Sequence, residues 1–275
     1  MLLRFANCRL ERTLAAQIGA QKPFYLSLQD QIQGVDMRVE AVLFDLFDTL
    51  LLLEPAEVYY EPCLRRLHES LVENGIEVAF EDFSRVYFEV RDKYYSESRQ
   101  SLEEPHFNVR VAQTLQKLGF NLDVSNPIVS GATGAFADEF MRYVSIDDDA
   151  INVLQKLCGK YKLGLISNFG IPECGRQLLS RFGLSRFFDL IVISGEVNQR
   201  KPSPKIFERA LDALNVHPLK AVFIGDMLDL DIIGPKKVGM KTILIERRPM
   251  QDHAEVKPDK VVKSLTELLN ILDDC

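Results

Sequence analysis

Residues 41–50 read AVLFDLFDTL. Ala41, Val42, Leu43 and Phe44 form a run short enough for a strand and apolar enough for one buried on both faces. Asp45 ends the run. Open α/β sheets bind ligands at the carboxyl ends of their strands, so a carboxylate there is a candidate reacting group. Asp is also an ordinary turn residue, and this segment alone leaves both readings open. Thr49 follows four residues on.

Downstream of residue 146 the same kind of strand end recurs. Strands are predicted over 161–166, 190–193, 221–224 and 241–245, with an edge strand at 261–262. Helices are predicted over 147–158, 173–182, 203–214, 231–238 and 264–272. Alternating strands and helices imply a parallel sheet covered on both faces, a doubly wound α/β fold. The strand ends carry Ser167 with Asn168, Ser194 with Gly195, and Gly225 with Asp226.

Between the first strand and this series the character is helical. Segments 57–73, 80–98, 107–118 and 127–143 have helical apolar spacing, the first broken by Pro62. This predicts a core of residues 37–54 and 146–275 carrying an inserted helical domain, residues 55–145. Residues 1–36 form an extension with Arg4, Arg9, Arg12 and Lys22 against one early acid, Glu11. Its composition is faintly that of a transit peptide but lacks the Ser-rich character. Met37 just before the first strand would be a natural domain start, so the extension is expected to pack weakly.

The chain has 275 residues, enough for a sizeable core, and a formal charge of -7. No basic stripe offsets that charge, which argues against a nucleic-acid partner. No apolar run reaches membrane-spanning length. Five cysteines are scattered without a C-x-x-C pair, as expected of free thiols in a reducing, cytoplasmic compartment. The four histidines share no metal-ligand spacing.

The fold would gather Asp45, Ser167, Asn168 and Asp226 at one sheet edge, with Lys201 of RKPSPKIF arriving just before a helix. Acids crowded beside one lysine call for a cation, and an all-oxygen set suits Mg²⁺. Asp45 could then attack a phosphoryl group as a carboxylate nucleophile. Ser167 and Lys201 could hold the phosphoryl oxygens.

Four segments in order, FDLFDTL, LISNFG, RKPSPKIF and IGDMLDLD, resemble the four motifs of the haloacid dehalogenase-like hydrolase superfamily. The resemblance covers roughly residues 40–270. It implies Asp45 as nucleophile and metal ligand, Phe47 as a ligand through its backbone carbonyl, and Asp226 as the remaining protein ligand. Asp231 matches the second acid of the fourth motif and is expected behind the direct ligands. It further implies substrate contacts from Thr49, Ser167, Asn168 and Lys201, and a helical cap formed by the insert. The expected substrate is a small phosphorylated metabolite.

Phe47 departs from the phosphatase pattern, which places a general acid–base Asp two residues after the nucleophile. Asp48 is adjacent, but one residue further along an extended chain points the other way. An aromatic at position 47 resembles the 2-haloacid dehalogenases, whereas Gly225-Asp226 is the metal-binding form of the fourth motif. A phosphonate-cleaving relative also lacks this Asp but needs a cap lysine, for which Lys93 and Lys117 are available. The leading expectation is therefore a Mg²⁺-dependent phosphatase suited to good leaving groups. A dehalogenase and a non-catalytic phospholigand- or partner-binding protein are the alternatives. Tyr59, Tyr60, Tyr87, Arg91, Tyr94 and Tyr95 fall in the insert at helical spacing, which reads first as helix packing. Asp147, Asp148 and Asp149 read as a helix cap.

Overall fold

The computed structural model describes residues 38–247 and 256–273. Strands β1 (Ala41–Phe44) and β2 (Leu51–Leu53) come first. Four helices follow, α1 (Ala56–Glu73), α2 (Phe80–Ser101), α3 (Phe107–Lys117) and α4 (Pro127–Phe140). Next come β3 (Val144–Ile146), α5 (Ala150–Leu157), β4 (Lys162–Ser167), α6 (Pro172–Arg181) and β5 (Leu190–Ile193). The chain continues through α7 (Pro204–Leu214), β6 (Ala221–Gly225), α8 (Ile233–Lys237), β7 (Lys241–Ile245), β8 (Lys260–Val262) and α9 (Glu267–Asp273).

Six strands form one parallel sheet in the order β5-β4-β1-β6-β7-β8. β1 lies inside it, with Phe44 level with Leu165 of β4 and Ile224 of β6. All four β1 residues are buried. Successive side chains point to opposite faces. Val42 and Phe44 join one apolar cluster with Leu154, Leu178 and Leu268, while Ala41 and Leu43 join another with Ile206, Phe207 and Phe223. This two-sided burial is why the run is continuously apolar.

The helical insert is closed at its base by a second, antiparallel pair, Leu51 with Ile146 and Leu53 with Val144. Sequence reading missed this pairing, because two three-residue strands separated by the whole insert leave no local signal. Arg247, just past β7, braces it. Its Nε donates to the Asp48 carbonyl (3.1 Å) and its Nη2 to the Thr49 carbonyl (3.0 Å), while Nη2 also pairs with Asp147 Oδ2 at 2.6 Å. Asp147 is therefore not a helix cap as expected. α5 starts later, at Ala150, and Asp147 Oδ1 instead accepts the Asp149 N–H at 2.9 Å. A second correction concerns Pro62, which sits inside a continuous α1. A helix-interior proline costs about 3 kcal/mol. Burial of Cys63, Leu64, Leu67 and Leu71 on the same helix offsets it.

The insert shares its buried cluster with the sheet, since Leu67, Phe107, Phe136 and Phe140 belong with Phe44 and Leu165. Among the described residues no helix is long and apolar enough to cross a membrane. Cys63, Cys158 and Cys174 are free thiols. The 1–36 extension, Cys8, Cys275 and His253 lie outside the described residues. The other histidines serve local roles. His68 Nε2 lies 2.8 Å from the Val78 carbonyl, His106 pairs with Glu173, and His217 accepts the Leu219 N–H.

Candidate active site

Asp45 leaves β1 with its N–H bonded to the Ile224 carbonyl (2.9 Å), so its backbone is fixed to the end of β6. Its carboxylate meets Lys201, whose Nζ lies 2.5 Å from Asp45 Oδ1 and 2.7 Å from Asp231 Oδ1. Lys201 is 1% exposed and Asp231 1%. The other oxygen of Asp231 accepts the Met227 N–H at 3.0 Å. Both Asp231 oxygens are thus committed, one to Lys201 and one to the loop that carries Asp226. Gly225 makes the approach possible, because a Cβ there would collide with the Asp231 carboxylate. Gly225→Ala is expected to displace Asp231, costing about 1–3 kcal/mol and most turnover. Thermal melting beside steady-state rates checks this.

Lys201 is held from behind by Asn168. Asn168 Oδ1 accepts the Lys201 N–H (2.8 Å) and its Nδ2 donates to the Lys201 carbonyl (3.0 Å). The amide is spent on positioning this loop. Lys205, by contrast, is exposed on α7. Ser167, at the end of β4, and Thr49 are fully buried, and neither hydroxyl oxygen has a hydrogen-bond partner among the described residues. Buried orphan hydroxyls are costly unless a ligand satisfies them.

Asp226 is half-buried, and one oxygen from each of Asp45, Asp226 and Asp231 lies within 4.8 Å of the others. Three carboxylates stand against one ammonium. Burial raises the Asp45 carboxyl to about 6; Lys201 pulls it down and Asp231 pushes it up. Burial works against the Lys201 charge, but Asp231 and Asp45 outweigh it and hold its pKa above the ordinary lysine range. An excess of hard oxygen donors with one partly open carboxylate fits Mg²⁺.

Phe47 packs among aromatic rings. Its ring centroid is 5.1 Å from Phe169 and 5.8 Å from Phe140, making an aromatic wall under the insert. Asp48 turns the chain with φ 56°, and its Oδ1 accepts the Leu53 N–H at 3.3 Å. It serves this turn and does not join the three-carboxylate group. Lys93 and Lys117 pair with Glu97 and Glu89 on exposed helix faces. The roles of Gly225, Arg247 and the Asp231–Met227 bond are not legible in sequence, because each depends on contact across the fold.

A family model described as haloacid dehalogenase-like hydrolase matches residues 39–239. The chain is 32% identical to a glyceraldehyde 3-phosphate phosphatase of Methanopyrus kandleri over 85% of its own length and 97% of the relative's. A 2-haloacid dehalogenase from Pseudomonas syringae superposes with a TM-score of 0.66 at 25% identity, covering 86% of this chain and 99% of that one. A HAD phosphatase from Thermococcus onnurineus superposes at 0.59 with 26% identity, covering 85% and 98%. With the family model spanning most of the sheet and all four motif segments, this chain belongs to the haloacid dehalogenase-like hydrolases, and it is an enzyme of that family.

Proposed function

We propose that the chain is a Mg²⁺-dependent phosphatase that acts on a small phosphorylated metabolite through an aspartyl-phosphate at Asp45. The observation that carries this reading is the buried Asp45–Lys201–Asp231 array with Asp226 beside it. Asp45, Asp226 and the Phe47 carbonyl would hold the ion, which would offset the carboxylate charge and that of the phosphoryl group.

Asp45 then attacks phosphorus. Its Oδ–P bond forms as the P–O bond to the leaving group breaks, and the leaving oxygen takes the electron pair. Lys201 keeps Asp45 ionised and oriented and supplies positive charge to the phosphoryl oxygens. The Ser167 and Thr49 hydroxyls, which have no partner among the described residues, donate to the same oxygens. Water attack on phosphorus releases phosphate and restores Asp45. Residues 55–145 act as a cap that excludes bulk water while Asp45 attacks phosphorus.

Phe47 cannot protonate the leaving group. A general acid contributes roughly 10²–10⁴-fold, so this chain favours substrates whose leaving oxygen departs readily. Phe47→Asp is expected to raise the rate on alkyl phosphates relative to p-nitrophenyl phosphate, by roughly 10-fold or more. It should also cost about 3 kcal/mol, because the contacts with Phe140 and Phe169 are lost. The ratio of kcat/KM values and a urea melt check both parts.

The test of the proposal is phosphate release from p-nitrophenyl phosphate and a metabolite panel, with and without Mg²⁺. Glyceraldehyde 3-phosphate belongs in that panel because relatives are named for it. Release that needs Mg²⁺ is expected. Metal-independent halide release from 2-chloropropionate, with no phosphate release, would replace this reading with the dehalogenase one that Phe47 suggests.

A further inference from the structure

The cap buries a cation. Arg110, on the first turns of α3, is 7% exposed, and no carboxylate pairs with it among the described residues. Its guanidinium lies against the rings of Tyr94, Tyr95 and Phe107, with centroid distances of 4.9, 5.1 and 4.9 Å. One N–H reaches a partner, Nη1 to the Tyr87 hydroxyl at 3.4 Å, and Nε is buried with none. A guanidinium carries five N–H donors, so most of its hydrogen-bonding capacity is unspent. Lone buried charges are rare because leaving water is costly without a counter-ion. The nearby acid, Glu104, is already engaged by the Tyr94 hydroxyl (3.1 Å) and by Arg200 Nε (3.3 Å).

The position of this cation relates it to the active site. The Phe107 N–H donates to the Gly170 carbonyl at 2.8 Å, so α3 starts on the loop that carries Ser167 and Asn168. Arg110 is three residues further along, about 4.5 Å of helix rise. The Tyr87 hydroxyl that Arg110 contacts also lies 3.1 Å from that of Tyr60, and a second guanidinium, Arg91, lies 5.4 Å from the Tyr60 ring. Tyr60 neighbours Tyr59, whose ring packs on Phe140 and through it on Phe47.

We propose that Arg110, with the Tyr60 and Tyr87 hydroxyls, binds a second anionic group on the substrate, so that the enzyme selects phosphate esters carrying a carboxylate or another phosphate at the far end. This rests on the phosphatase reading of the Asp45 site and narrows its substrate class. A guanidinium fits such a group because its fork of N–H donors matches two oxygens at once.

The test uses binding, with ω-carboxyalkylphosphonates of two to six carbons against alkylphosphonates of equal length, titrated calorimetrically with Mg²⁺ present. Preference for the carboxylate series by at least tenfold at one chain length is expected in the wild type, collapsing towards unity in Arg110→Gln and partly restored in Arg110→Lys. A purely structural Arg110 would lower the melting temperature and leave that ratio unchanged. Equal binding of both series, or a ratio that persists in Arg110→Gln, overturns the proposal. Binding of neither series would instead reject the phosphoryl site itself, and this subsite with it.

Discussion

Asp45→Asn is expected to abolish phosphate release, by roughly 10⁴-fold or more, without destabilising the metal-free protein at pH 7.5. The two halves have one cause. An amide cannot attack phosphorus, so the covalent step is lost. The carboxylate it replaces is held at a cost. Burial, reinforced by Asp231, outweighs the pull of Lys201 and lifts the Asp45 carboxyl from 3.8 to about 6. For an acid raised in this way, the folded state keeps a proton between pH 4 and 6 that the unfolded chain has already released. Stability therefore falls as pH rises through that window. Above pH 6 the full penalty applies. Asn carries no charge and escapes it. The lost contact to Lys201 acts in the opposite direction, but Asp231 keeps Lys201 paired at 2.7 Å. Melting in EDTA should place the variant at or above wild type at pH 7.5, with the difference closing near pH 4. A variant several degrees less stable at pH 7.5 would contradict this electrostatic account.

Lys201→Met carries the second large effect, and here stability and activity fall together. Removing the ammonium leaves Asp45 and Asp231 facing each other without a buried counter-charge. Breaking one partner out of a buried ion pair costs about 3–5 kcal/mol. Loss of the charge proposed to steady both nucleophile and phosphoryl group should lower turnover by roughly 10³-fold. A second change separates the two consequences. Lys201→Met with Asp231→Asn removes one of the stranded carboxylates and should recover part of the stability, while turnover stays low. Urea melts and phosphate release on the single and double variants check this. Wild-type stability in Lys201→Met would mean that the array is not the buried electrostatic unit described above.

The sheet and the polar residues at its strand ends were legible because they are written locally. Val42 and Phe44 face one apolar cluster and Ala41 and Leu43 the other, which forces a continuous apolar run ending at Asp45. The same logic exposed β4, β5, β6 and β7, and with them Ser167 and Asp226. What escaped depends on distance along the chain. Leu51–Leu53 finds its partner at Val144–Ile146 across the whole insert. Asp147 looks like a helix cap until Arg247, exactly one hundred positions on in sequence number, claims its carboxylate. The third-motif lysine was identified from RKPSPKIF, but its burial between two acids appears only in the fold. The insert showed helices readily and its buried arginine not at all, since helical spacing marks Arg110 merely as a polar break in an apolar face.

The central claim is that Asp45 is phosphorylated during turnover. Acid quenching of the Mg²⁺-loaded enzyme during hydrolysis, followed by peptide mass spectrometry, tests it most directly. The account predicts a phosphoryl group on the peptide containing Asp45, absent when substrate is omitted and absent in Asp45→Asn. Sustained phosphate release with no label on that peptide, or with full activity in Asp45→Asn, would contradict it.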